Sequence, residues 1–118
     1  MKCELYQTDN RDWRFESWDW AMTHGFDQLE YKRVCTTTSF PDNTTLNEIF
    51  EIFDTNHPDN YNEDPDNAIA RSIAVSDVIV IRDRENDPYA EVETYYVDSF
   101  GFVELSHDFW EDGLFEED

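Results

Sequence analysis

Lysine is nearly missing from this chain. Lys2 and Lys32 are the only two, and lysine and arginine together number 8 against 29 Asp and Glu, for a formal charge of -21 in 118 residues. A chain so short of cations has no basic face with which to hold nucleic acid directly or to settle on an anionic membrane. Glycine is as scarce. Gly25, Gly101 and Gly113 stand alone, so a glycine-rich phosphate loop has no material. Cys3 and Cys35 allow one bridge at most. Each falls in a candidate strand, so both read as buried thiols of a reducing cytosol. Neither has the closely spaced Cys or His that zinc requires. No apolar run follows Met1-Lys2-Cys3-Glu4, which excludes a signal peptide, and no stretch reaches the roughly 20 apolar residues of a membrane span.

Aromatic residues are not lacking. They make up 16% of the chain, and hydrophobic residues make up 39%. Disordered acidic segments have few aromatics, because they cannot bury enough apolar surface to offset chain entropy. The acid therefore coats a folded body. The length fits a single domain over residues 1–118 with one modest core.

The pattern predicts four to five mainly antiparallel strands with about two helices, an α+β domain. Met1 to Gln7 reads as a first strand and Tyr31 to Thr38 as a second, rich in Val, Cys and Thr. Ser17 to His24 reads as a short helix stopped by Gly25. The clearest helix runs from Leu46 to Asp54. Thr45 and Glu48 form an S/T-x-x-E capping box, and Leu46, Ile49, Phe50 and Phe53 fall on one helical face. Glu48, Glu51 and Asp54 lie off that stripe. Asn56 to Asn67 reads as a loop, and a strand ends the run Arg71 to Ile81. Arg82 to Pro88 is a polar turn. Glu91 to Asp98 and Phe102 to Leu105 complete the strands, with a break at Ser99 to Gly101.

Three segments in this order resemble the YodL-like domain of bacterial mobile elements: LNEIFEIFDTNHP (Leu46 to Pro58), RSIAVSDVIVI (Arg71 to Ile81) and YYVDSFGFVEL (Tyr95 to Leu105). Trp20-Ala21, His24-Gly25-Phe26, Tyr31 and Val34 extend the resemblance more loosely towards the amino terminus. It implies a small cytoplasmic protein or module carried by conjugative elements and phages. The family is associated with protecting incoming DNA from host systems, and with contacts at the actin-like cytoskeleton. This chain departs from the pattern in its acid-rich stretch, Asp54 to Asp66, and in its acidic end.

Catalytic chemistry has little to work with. Ser76-Asp77 and Asp98-Ser99 invite a triad, but His24, His57 and His107 are scattered and supply no base between them. Asp77 and Asp98 are expected to accept backbone N–H bonds where strands begin and end. Asp59, Glu63, Asp64 and Asp66 crowd one loop with hard oxygen ligands, yet EF-hand spacing and its central glycine are absent. No enzyme activity, metal site or cofactor is expected.

The charge itself is the functional signal. A domain of this length is about 35 Å across. Over that distance duplex DNA presents about 20 charges, close to this chain's total. Self-repulsion amounts to about 4 kcal/mol at physiological salt, against the roughly 5–15 kcal/mol that holds a domain together. The leading expectation is a nucleic-acid mimic that inhibits a basic, nucleic-acid-binding host defence protein such as a restriction or CRISPR nuclease. Its candidate contacts are Glu48 and Glu51 on the helix, Asp59, Glu63, Asp64 and Asp66 in the loop, and Trp110, Glu111, Asp112, Glu116 and Glu117 near the end. The alternative is an interaction module for a cytosolic or actin-like cytoskeletal protein, anchored by Trp13, Trp18 or Trp110. Acid for solubility or salt tolerance is the plainest reading. Trp13, Trp18 and Trp20, interleaved with Asp12, Glu16 and Asp19, suit either a core or an interface.

Overall fold

The first strand, β1 (Lys2–Thr8), lies inside the sheet rather than at its edge. In the computed structural model, which describes residues 1–55, 62–63, 72–82, 92–106 and 108–111, it pairs on both sides. Its partners are β2 (Tyr31–Thr37) and β3 (Val78–Arg82). Beyond β3 come β4 (Glu93–Asp98) and β5 (Gly101–Glu104), and every pairing is antiparallel in the order β2-β1-β3-β4-β5. With helices α1 (Trp18–Thr23) and α2 (Leu46–Thr55) this is an α+β domain. Among the described residues no helix is long and apolar enough to cross a membrane.

Successive strand residues face opposite sides of a sheet. Cys3 and Leu5 enter one core with Ile79, Ile81 and Val97, roofed by Ile49 and Phe53 of α2. Tyr6 enters a second core on the other face with Val78, Val80, Tyr96 and Ala21 of α1. Both faces being covered explains the unbroken apolar run VIVI in β3. Cys3 and Cys35 are buried and not joined in a disulfide.

Local signals account for the helices. Thr45 N–H donates to Glu48 Oε1 at 3.0 Å and Glu48 N–H to Thr45 Oγ1 at 3.2 Å, so the reciprocal cap closes as the spacing predicts. The Thr45 backbone N–H first, and then the Thr45 hydroxyl donating to the same Oε1 at 3.0 Å, hold the Glu48 carboxyl below its ordinary pKa. Ser17 caps α1 by accepting from Trp20 N–H, and Gly25 ends it at φ +78.

Three details depart from the sequence expectation. Strand β5 begins at Gly101, one residue before the expected Phe102, and β4 begins at Glu93, with Val92 outside the strand; Glu91 lies outside the described residues. Val34 forms a bulge: Leu5 faces Cys35 and Tyr6 faces Arg33, leaving Val34 as the extra residue. Val34 and Cys35 therefore both point into the α2-side core, where strict alternation would have sent one outwards. The third concerns the acid-rich loop, whose two described residues grip the outer edge of β2. Glu63 N–H donates to Thr36 O at 2.7 Å, and Asn62 Nδ2 donates to Val34 O at 3.0 Å. They occupy backbone groups that an edge strand otherwise offers to other chains. The rest of that loop, most of the 82–88 turn and the last seven residues lie outside the described set.

Candidate protein-binding surface

A carboxylate on the surface is available to a partner only if the fold has not already used it. Glu48 and Glu51 stand exposed on α2, and the Glu48 carboxylate is already engaged by Thr45 N–H and Thr45 Oγ1. Glu63 is exposed, but its carboxylate accepts from Thr38 N–H and Thr38 Oγ1, and the backbone bond leads in lowering its pKa. Glu111 is also exposed, with its main chain clasped by Gln28: Nε2 donates to Glu111 O at 2.9 Å and Glu111 N–H donates to Oε1 at 2.8 Å. Asp59, Asp64, Asp66, Asp112, Glu116 and Glu117 lie outside the described residues.

These candidates do not share one face. Helix α2 roofs the core built on Cys3 and Leu5, whereas Glu111 follows Trp110, which packs with Tyr6 on the opposite side. The expectation that Trp110 is an interface anchor is corrected at the same point. Trp110 is 3% exposed and meets the Tyr6 ring edge-on at 4.9 Å. Trp13 and Trp18 are half-buried: Trp18 packs against Phe26 at 5.1 Å and Tyr96 at 5.0 Å, and Trp13 against Trp20 at 5.7 Å. The second face of the sheet needed a roof, and α1 is too short to supply it. Aromatic rings fill the space instead.

Around Glu111 the fold assembles a group that the sequence conceals. Asp27, Asp108 and Glu111 line an open cleft of about 280 Å³ with Phe26, Gln28, Leu29 and Phe109. Among the described residues, no Lys or Arg lines it. Asp27 caps the short 3-10 turn Gln28–Glu30 by accepting from Leu29 N–H, and that turn lifts Leu29 to 70% exposure. Asp27 and Asp108 were not among the candidates read from the sequence. Their only local signal is the capping position of Asp27; bringing Asp27 to Glu111 requires the tertiary fold.

The scarce cations move the other way. Glu4 is 2% exposed on β1, and Arg82 Nε from β3 donates to it at 2.8 Å. Arg33 Nη1 from β2 donates at 3.2 Å, and Lys2 Nζ lies at 4.0 Å. Three of the 8 basic residues thus gather on one internal carboxylate. Of these, Arg82 is largely withdrawn from solvent, while Lys2 and Arg33 still reach it, with side chains 37% and 33% exposed.

Asp77 and Asp98 take the backbone-accepting roles expected of them. Asp77, wholly buried just before β3, accepts from Ala74 N–H at 2.9 Å and from Gln7 Nε2 at 3.2 Å. Asp98 closes β4 by accepting from Ser99 N–H at 2.9 Å and from Trp18 N–H at 3.0 Å, which ties α1 to the sheet. Ser76 Oγ accepts from Phe15 N–H at 3.0 Å.

Fold and surface together define a small acidic α+β domain, covered on both faces and with three of its cations gathered on Glu4. The chain belongs to the YodL-like domain family, whose model matches residues 2–109. Nothing among curated proteins or solved structures matches it.

Proposed function

We propose that this protein is a non-enzymatic, cytoplasmic inhibitor that occupies the nucleic-acid-binding groove of a basic host defence protein, such as a restriction or CRISPR nuclease, by presenting carboxylates in place of phosphates. The observation that carries the reading is charge density. A body with principal extents of 36 × 31 × 29 Å has a formal charge of -21, with three of its cations committed to Glu4. The YodL-like family membership, with the mobile-element setting its resemblance implies, supports the same reading.

Exposed carboxylates stand on α2 and around the Asp27–Asp108–Glu111 cleft, on opposite faces of the sheet. The fitting partner therefore encloses this protein, as a nuclease encloses a duplex, and contacts it from more than one side. Such binding resembles a protein–DNA contact in its ionic-strength response. With roughly 6–10 charge contacts, affinity falls by about 10³–10⁵ between 50 and 200 mM salt. The test is direct binding to a purified restriction or CRISPR nuclease across that range, with displacement of a DNA fragment locating the site. Affinity that is unchanged from low to high salt contradicts mimicry.

A further inference from the structure

The two edges of the sheet are not alike. Asn62 and Glu63 grip the outer edge of β2, whereas β5, at the other end of the order, pairs with β4 alone. The register decides which backbone groups of β5 are left over. Leu105 N–H donates to Thr94 O at 2.8 Å, and bonded and unbonded pairs alternate along an antiparallel ladder. Val103, opposite Tyr96, is therefore bonded inwards, and Phe102 and Glu104 turn their N–H and C=O away from β4. Val97, opposite Phe102, has the matching parity. Its N–H donates to Asp77 O at 2.8 Å and its C=O accepts from Ser76 N–H at 2.9 Å, both on the β3 side. Among the described residues nothing bonds the outward groups of Phe102 and Glu104.

Natural edge strands are guarded, often by lysine, proline or a bulge. Strand β5, Gly-Phe-Val-Glu in regular register with β4, holds none of these. Its guards are its shortness and Glu104, which is exposed and makes no side-chain hydrogen bond or ion pair among the described residues. A carboxylate there repels another acidic strand and attracts a basic one, so it selects by sign. The strands divide in the same sense. Lys2, Lys32, Arg33 and Arg82 lie on β1, β2 and β3, whereas β4 and β5 carry no cation, and no Lys or Arg follows Arg84 in the chain.

We propose that the outer edge of β5 is a site of strand addition for an extended basic segment of a protein partner. The segment runs alongside β5 and bonds to the outward N–H and C=O of Phe102 and Glu104. Phe102 and Glu104 share one face of the strand by alternation. The added strand sets a Lys or Arg opposite Glu104 and an aliphatic side chain opposite Phe102, whose ring packs edge-on against Phe50 at 6.3 Å. A second copy of this chain is the wrong occupant, because its β5 brings another Glu104 and two bodies of charge -21 repel. The inference rests on the reading of the protein as a binder of basic partners, and adds where an extended segment of such a partner attaches.

The test is backbone amide hydrogen exchange of the full chain, alone, with a lysine-rich peptide built around Lys-Val-Ile, and with the same peptide N-methylated along its backbone. Unbound, the Phe102 and Glu104 amides should exchange faster than those of Val103 and Leu105. The unmethylated peptide, at about ten times its Kd, should slow both about tenfold. The methylated one, of equal charge, should bind more weakly and protect neither. Glu104→Lys should weaken the unmethylated peptide about tenfold, and Asp9→Lys, the same charge change on an exposed residue just after β1, less than about twofold. Equal affinity for the two peptides, equal effects of the two substitutions, or binding that leaves the Phe102 and Glu104 amides unprotected overturns strand addition while the acidic reading stands. Protection that grows with protein concentration in the absence of peptide makes a second copy the occupant and overturns it as well. Failure of both peptides to bind at low salt overturns the reading of the protein as a binder of basic partners, and the inference with it.

Discussion

Replacing Glu4 with glutamine removes the charge around which Lys2, Arg33 and Arg82 are arranged. Shape is conserved, and the amide retains one acceptor, so the loss is almost purely electrostatic. Breaking a buried ion pair from one side costs about 3–5 kcal/mol. Glu4 is buried and Arg82 mostly so, but Arg33 and Lys2 reach solvent, where screening discounts their share. The low end, about 3 kcal/mol, is therefore appropriate. Unfolding entropy for 118 residues is about 0.25 kcal/mol/K, so the melting temperature should fall by about 12 °C. Thermal unfolding followed by circular dichroism reads this directly. Arg82→Met, made in the wild type and in the Glu4→Gln background, completes a double-mutant cycle with an expected coupling of about 1–3 kcal/mol. A fall of less than about 3 °C, or an Arg82→Met cost that is the same in both backgrounds, refutes the claim that the cations are held by Glu4.

Trp110→Ala empties a site between Tyr6 and Tyr31 and should cost about 3–5 kcal/mol in denaturant unfolding, whereas Phe100→Ala should stay within about 0.5 kcal/mol; the reverse ranking contradicts the assignment of one ring to the core and the other to the surface. Burial, first among the causes, pushes the hydroxyl pKa of both Tyr6 and Tyr96 above the ordinary value of 10.0. With the folded value raised above the unfolded one, the neutral phenol favours the native state. That contribution is complete below about pH 10 and is lost as pH rises through the folded values. An alkaline titration at 295 nm should show these two tyrosines ionising only as the protein unfolds, and full titration of a native protein near pH 10 contradicts their burial.

Charge segregation links the fold to the proposed function. An internal carboxylate in a chain with so few cations draws several of them inwards, because leaving a buried charge alone costs far more than depleting the surface. Each cation held at Glu4 has its charge offset by that carboxylate, although Lys2 and Arg33 still reach solvent. Structural economy and electrostatic display are in this respect one property of β1 and its two neighbouring strands.

What the sequence determined by itself is whatever depends on residues within a turn of one another. The Thr45–Glu48 cap, the Ile49–Phe53 stripe, the Gly25 stop and the apolar run of β3 are local, and each element lies where its local chemistry puts it. Net charge, being a sum, was fixed as well. Position was not. Whether Trp110 is an anchor or core depends on Tyr6, more than a hundred residues earlier, and Glu4 looks like any surface acid until β2 and β3 bring Arg33 and Arg82 beside it. The cleft of Asp27, Asp108 and Glu111 arises in the same way. Such meetings follow from strand order and, within β2, from one bulge at Val34 that shifts the alternation between Arg33 and Cys35. A linear pattern carries the period of each strand; which strands become neighbours, and so which charges cancel and which remain in water, is decided when the sheet closes both faces over its two cores.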